Sequence, residues 1–306
     1  MDAPLFHPGD LIDQRYRLTR LLGLGGMAEV WEARHEVLER DIAVKLVRHA
    51  DPAVGERLRL EAKALARLSH RSIVQVFDAG TTATGVPFLA LELVRGESLE
   101  QRLQRGPLGA RSAAALVAAA CDGLAEAHAA AIIHRDIKPS NILLPAASPE
   151  LPRIVDFGVA SLAGSSSPKL TRAGAVVGTP AYMAPEQLRG EPPDARTDVW
   201  GAAVTLYEAA YGTMPFPGDD LRVVTALVLT AEPTRPLGPI DPRLWDVVRR
   251  GLAKARDERY PTAEALADDL RAWLAGTAAT AMFPSEDPTD EMTASSFDAL
   301  VKSRFS

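Results

Sequence analysis

The chain has 306 residues, 47% of them hydrophobic and 24% charged, a soluble globular composition with enough apolar material for one large core or two lobes. Its net charge of -6 argues against a surface built to neutralise phosphate backbones, so nucleic acid is not an expected partner. Cys121 is the single cysteine, which excludes a disulfide framework and a thiolate zinc site and fits a reducing compartment.

Residues 1–15 read as a polar leader, with no charged segment running into an apolar one, and the alanine-rich run after Ser112 is interrupted by Asp122 and Glu126. Neither a signal peptide nor a membrane span is expected, and the cytoplasm is the expected compartment. "RYRLTRLLG", "EVWEAR" and "DIAVKLV" alternate roughly with period two and predict antiparallel strands. Across the first two lies "LLGLGGMAEVW", residues 21–31. Gly23, Gly25 and Ala28 fit both a dinucleotide-binding turn and a glycine-rich lid over nucleotide phosphates. A dinucleotide fingerprint must run straight into a helix whose N-terminus holds the pyrophosphate. Here the chain continues as strand, which counts against an oxidoreductase.

Residues 54–68 read as a helix with Leu58, Leu65 and Leu68 on one apolar stripe and Glu61 set into that stripe, where a carboxylate needs a cation. "SIVQVFDAG" and "PFLALELV" give further strands, and from "ESLEQRL" onward the pattern is mainly helical. "VWGAAVTLYEAAY" is apolar nearly all round and belongs in the middle of a large lobe. The helical pattern stops near Leu274; beyond Gly276 the Thr, Ser, Pro and acidic residues predict a disordered tail. The expected fold is α+β, with a small sheet lobe over 16–93 carrying one main helix, a larger helical lobe over 94–275, and a tail over 276–306.

Five motifs follow the glycine-rich segment in order: Lys45 in "AVK", Glu61 on its helix, "HRDIKPSN" at 134–141, "DFG" at 156–158 and "APE" at 184–186. Their order and content resemble the eukaryotic-like (Hanks-type) Ser/Thr protein kinases of bacteria, from Tyr16 to Leu274. The resemblance implies a bilobal protein-kinase-like fold, ATP and Mg2+ as cofactors with Mn2+ able to substitute, and transfer of the γ-phosphate to Ser or Thr hydroxyls of proteins. Such transfer needs the triphosphate held, its charge neutralised and an acceptor oxygen aligned. Gly23, Leu24, Gly25 and Gly26 would close over the phosphates, with Val30 covering the adenine. Ala43, Leu143 and Leu91 would complete its pocket, and the backbones of Glu92 and Val94 would bond its edge. Lys45 would reach the α- and β-phosphates, held by Glu61. Asp136 would accept the proton of the substrate hydroxyl and Lys138 would neutralise the γ-phosphate. Asn141 and Asp156 would ligate magnesium.

Other residues take structural parts by the same resemblance. Leu65, Val76, His134 and Phe157 would form an apolar column joining the lobes, Asp198 would hold the catalytic loop backbone, and Glu186 would pair with Arg259. His134 is therefore not expected to be a base, and none of the histidines shows metal-ligand spacing. Cys121 reads as a small buried hydrophobe. Lys138 and Thr179 in "GTPAYMAPE" resemble Ser/Thr rather than tyrosine kinases. Arg135, before Asp136, marks kinases regulated in the activation loop; a phosphate on Thr171 could pair with it, with Ser165 to Ser167 as weaker acceptors. A pseudokinase scaffold is the alternative, weakened because Lys45, Asp136 and Asp156 are all present. A kinase-domain dimer completes the expectations; the tail reads first as a plain solubilising segment, with Thr289 or Thr293 read by a phosphothreonine-binding partner as the lesser alternative.

Overall fold

The computed structural model describes residues 3–26, 28–48, 62–157, 180–238 and 240–282, with side chains to residue 276. Strands β1 (Leu11–Ile12), β2 (Tyr16–Leu24), β3 (Ala28–His35), β4 (Arg40–Val47), β5 (Val76–Thr81) and β6 (Pro87–Leu91) form one antiparallel sheet in the order β1-β2-β3-β4-β6-β5. Period-two alternation gives this sheet two distinct faces. Trp31 and Ala33 of β3, with Ile42, Val44 and Leu46 of β4, point to a closed outer core shared with Tyr16, Leu18 and Phe88. The intervening residues face the cleft, where Val30 lies opposite Lys45 and Ala43 opposite Leu91. Alternation therefore places the lysine on the same face as the residues expected around the adenine.

The leader belongs to this lobe. β1 pairs with β2, the Gly9 N–H donates to the Leu18 carbonyl at 2.8 Å, and Arg48 donates to the Ala3 carbonyl at 2.8 Å. Glu29, fully buried on the outer face, accepts from the Leu5 N–H and from Trp31 Nε1. Polar composition hid this packing, because the contacts are made largely through the leader's backbone.

A second sheet, β7 (Gly96–Ser98), β8 (Ile142–Pro145) and β9 (Arg153–Ile154), lies at the lobe junction. Residues 62–65 are helical, and the further α-helices among the described residues are α1 (Leu99–Leu103), α2 (Ala110–Ala129), α3 (Pro185–Arg189), α4 (Ala195–Tyr211), α5 (Leu221–Thr230), α6 (Pro242–Gly251) and α7 (Ala263–Met282). α4 is buried along nearly its whole length, as its apolar circumference predicts. Asp194 starts it by accepting from the Arg196 N–H, and the Thr197 hydroxyl accepts from the Asp194 N–H, a reciprocal cap. α2 packs on α4 and α7. Cys121 is wholly enclosed there, and burial pushes its thiol up to about 12, which makes it inert at neutral pH.

α7 runs past Leu274 to Met282, further than the sequence pattern predicts. Its last turns, "TAATAM", lose apolar periodicity but keep alanine, a strong helix former that continues a helix already nucleated by packing. Among the described residues no helix is long and apolar enough to cross a membrane. The proposed tail sites Thr289 and Thr293 lie outside the described residues.

Candidate active site

The glycine-rich segment is a hairpin closed by the Gly25 N–H donating to the Ala28 carbonyl at 2.9 Å. A Cβ placed on Gly23 or Gly26 would meet nothing within 4 Å, so the protein's own packing does not require glycine at either position. The space is reserved outside the chain, which is what a lid over phosphates needs. Leu24 at the end of β2 is exposed, and Val30, on β3, faces the cleft.

Lys45 is buried on β4 and its Nζ lies 2.7 Å from Asp156 Oδ1. Burial works against the charge on Asp156, but the Lys45 ammonium, with weaker help from Lys138, outweighs it and holds the carboxyl below the usual aspartate range. Asp156 has φ +66°, a left-handed conformation that costs a residue with a Cβ roughly 1 to 3 kcal/mol. Its position is fixed by neighbours on both sides. The Val155 N–H donates to the Asn141 carbonyl at 3.0 Å, and His134 Nε2 donates to the Val155 carbonyl at 2.8 Å. Glu61, the expected partner of Lys45, lies outside the described residues.

The segment after α2 builds the other half. Asp136 Oδ2 receives Lys138 Nζ at 2.8 Å and Asn141 Nδ2 at 3.0 Å, and Asn141 Nδ2 also donates to the Asp136 carbonyl at 2.7 Å. Both side-chain partners fall on one oxygen, which leaves Oδ1 without a hydrogen bond among the described residues. Asn141 spends its amide nitrogen on Asp136, so its amide oxygen is the atom left for a cation. A carboxylate and an amide oxygen are hard ligands, and two such groups plus phosphate oxygens suit Mg2+. Asp156 and Asn141 therefore fit the ion the motifs imply.

Asp198, in the first turn of α4, holds this loop from beneath. Its Oδ1 accepts from the Arg135 N–H at 2.7 Å, and its Oδ2 accepts from the His134 N–H at 2.8 Å and from His128 Nε2 at 2.7 Å. Arg135 has φ +70°, a second strained position, and the buried carboxylate at its N–H is what over-determines it. The Asp136 N–H donates to His134 Nδ1 at 3.3 Å. With Nε2 donating to a carbonyl, His134 serves as a two-ended spacer between the two strained residues.

The rings of His134 and Phe157 meet edge to face at 4.6 Å, and Phe157 shares a core with Leu65 and Val76. Leu65, Val76, Leu91, Asp156 and Phe157 line one small pocket. Glu92 already donates its N–H to the Gln75 carbonyl at 2.9 Å, and its side chain pairs with Arg153 at 2.9 Å. Val94 follows in the same connector, half-buried, and Leu143 lies on β8, opposite Ser98. Away from the cleft, Glu186 and Arg259 form a buried two-pronged pair, both prongs at 2.9 Å. Thr171, Thr179 and Ser165 to Ser167 lie outside the described residues.

Two contributors are absent from the motif reading. His128 supports Asp198, and Gln187 donates from Nε2 to the Arg135 carbonyl at 2.7 Å. Neither carries a local signal beyond its helix position, because each acts on a residue far away in the chain.

A sheet lobe and a helical lobe meeting at a lysine, two aspartates and an asparagine define the architecture of a phosphotransferase cleft. The protein kinase domain model matches residues 16–270, and the chain belongs to the protein kinase domain family. It is 37% identical over 277 residues to the serine/threonine-protein kinase pkn3 of Myxococcus xanthus, covering 86% of this chain and 51% of that protein. It is 38% identical over 269 residues to the serine/threonine-protein kinase PknB of Mycolicibacterium smegmatis, covering 85% of this chain and 43% of that protein. A PknB of Mycobacterium tuberculosis is also 38% identical, over 273 residues, with 86% of this chain and 43% of that protein covered. The chain spans about half the length, or somewhat less, of these curated relatives.

Proposed function

We propose that the chain transfers the γ-phosphate of ATP to Ser and Thr hydroxyls of protein substrates, a reading supported by relatives that are named serine/threonine-protein kinases. The observation that carries this reading is the linked set Lys45–Asp156 and Lys138–Asp136–Asn141 in one cleft, roofed by glycines whose missing side chains leave room for a ligand. Nothing favours the pseudokinase alternative.

Lys45 turns its ammonium to the nonreacting phosphates and fixes their orientation. The glycine-rich hairpin covers them and excludes water. The Glu92 carbonyl and the Val94 backbone meet the adenine edge, with Val30, Ala43, Leu91 and Leu143 around the ring. Asp156 and Asn141 would hold Mg2+, which would supply neutralisation of the phosphate charge. Asp136 presents Oδ1 to the acceptor hydroxyl and accepts its proton as the new oxygen–phosphorus bond forms and the bond from the γ-phosphorus to the bridging β-phosphate oxygen breaks, ADP leaving; Asp136 is kept in place by the bonds on Oδ2. Lys138 offsets the charge on the transferring group.

Arg135 is exposed, and its guanidinium has no ion-pair partner among the described residues. That supports a regulatory pairing with phosphorylated Thr171. Thr179 would border the peptide platform.

The test is transfer of labelled γ-phosphate from Mg-ATP to a generic basic protein and to the chain itself, with Asp136→Asn alongside. Loss of label in the variant is expected; equal label in both would remove the assignment. Mass spectrometry of the self-labelled protein should find phosphate on Thr171, and a fully active enzyme with an unmodified loop would refute the switch.

A further inference from the structure

The peptide unit between Arg135 and Asp136 is gripped at both ends. Its N–H, on Asp136, donates to His134 Nδ1 at 3.3 Å; its carbonyl, on Arg135, accepts from Gln187 Nε2 at 2.7 Å. The Arg135 N–H, one peptide earlier, is held by Asp198 at 2.7 Å. Rotation of the gripped plane would change ψ of Arg135 and φ of Asp136 and swing the Asp136 carboxylate away from Lys138 and Asn141. Arg135 sits at φ +70°, held there through its own N–H on Asp198, so the backbone is strained immediately before this plane.

Of the residues gripping this loop, Gln187 alone comes from the "APE" segment. It lies in the first turn of α3, two residues after Pro185, and its Oε1 accepts from the Ala184 N–H at 2.9 Å. Its neighbour Glu186 is fixed by Arg259 and Thr197. One side-chain amide thus joins the backbone of the "APE" segment to the backbone of the catalytic loop, each through its own atom.

The geometry points to Gln187 as a positioning residue for the phosphoryl-transfer step: its Nε2–H bond to the Arg135 carbonyl holds Asp136 in register, and it does so only while the "APE" segment is seated. The base is thereby tied to the element that follows the activation loop. This rests on Asp136 being the base.

Gln187→Glu separates the two bonds. A glutamate keeps an oxygen for the Ala184 N–H and adds favourable charge at a helix N-terminus, but it turns an acceptor toward the Arg135 carbonyl. Gln187→Met removes both bonds. Both variants, brought to the same phosphorylation state as the parent by mass spectrometry, are assayed for kcat, for KM of Mg-ATP and for thermal midpoint. The expected result is a fall in kcat of about tenfold in each, the worth of one well-placed hydrogen bond, with KM for ATP unchanged within about twofold. The thermal midpoint of Gln187→Glu should hold while that of Gln187→Met drops. Parental kcat in Gln187→Glu overturns the inference, as does a fall in kcat matched by weaker ATP binding. Asp136→Asn in the same assay keeps the two readings apart: if it stays active the base assignment fails, and if it is dead while Gln187→Glu is fully active only the link through Gln187 fails.

Discussion

Replacing Arg259 with alanine should be among the most damaging single changes to this fold outside the cleft. The guanidinium is completely buried and its partner carboxylate nearly so. Arg259 gives both Nη groups to Glu186, Nε to the Ala253 carbonyl at 2.8 Å and Nη1 to the Arg196 carbonyl at 3.1 Å, and lies 4.9 Å over the Trp200 ring. Glu186 would keep the Thr197 hydroxyl at 2.9 Å and a backbone N–H, both neutral. Leaving one member of a buried pair uncompensated costs roughly 3 to 5 kcal/mol. For a domain of this size that corresponds to a fall of about 10 °C in the thermal midpoint.

Burial alone would raise the Glu186 carboxyl, but Arg259 outweighs it and, with Thr197, holds it below the ordinary glutamate range. A depressed carboxylate contributes stability that is complete above its unfolded pKa and is lost as pH falls through its lower folded value. In Arg259→Ala burial acts on Glu186 without its cation and raises the carboxyl, so the gap between parent and variant should begin to narrow as pH falls through that raised value, and narrow further below about 4 as the parent's own depressed carboxylate protonates. Removing both charges, as Glu186→Leu with Arg259→Met, should cost less than the arginine change alone, because no buried ion is left unpaired. Thermal scans across this pH range, with Glu186→Leu and Arg259→Met also made singly to close the double-mutant cycle, read these outcomes. A midpoint change under about 2 °C in Arg259→Ala, or a double variant worse than either single one, would refute the reasoning.

Gly26→Val should leave the thermal midpoint unchanged, since its side chain enters open space, yet weaken ATP binding by about tenfold or more in calorimetry, because that space is where phosphates approach. Gly201→Ala should do the opposite kind of harm. A methyl there would sit 2.8 Å from the Ile137 carbonyl and 3.0 Å from its Cβ, pressing α4 on the residue after Asp136, and should lower the unfolding free energy by about 1 to 3 kcal/mol while also reducing kcat in the steady-state assay.

The order of motifs was legible in the sequence because each depends on short-range constraints. Alternation put Ala43 and Lys45 on one face of a strand, continuation as strand after the glycines ruled out a dinucleotide turn, and an apolar circumference placed 199–211 in the centre of the larger lobe. Short turn-like segments such as "DFG" and "APE" meant little alone and became informative through their sequence. The polar leader misled, because strand pairing through its backbone leaves no trace in side-chain composition. So did the end of α7, where helix propensity carried on after amphipathicity stopped.

What the sequence by itself determined was the residue types and the faces from which they project: a lysine, carboxylates and an asparagine on elements whose class follows from local pattern. Only the tertiary structure decided which atoms meet. That Asp198 accepts two loop N–H groups, that Arg135 and Asp156 are held at positive φ, and that Gln187 reaches back to Arg135 depend on contacts between segments tens of residues apart. A side chain's hydrogen-bond partner is set by distances of a few tenths of an ångström, which local propensity does not encode and the packing of two lobes does.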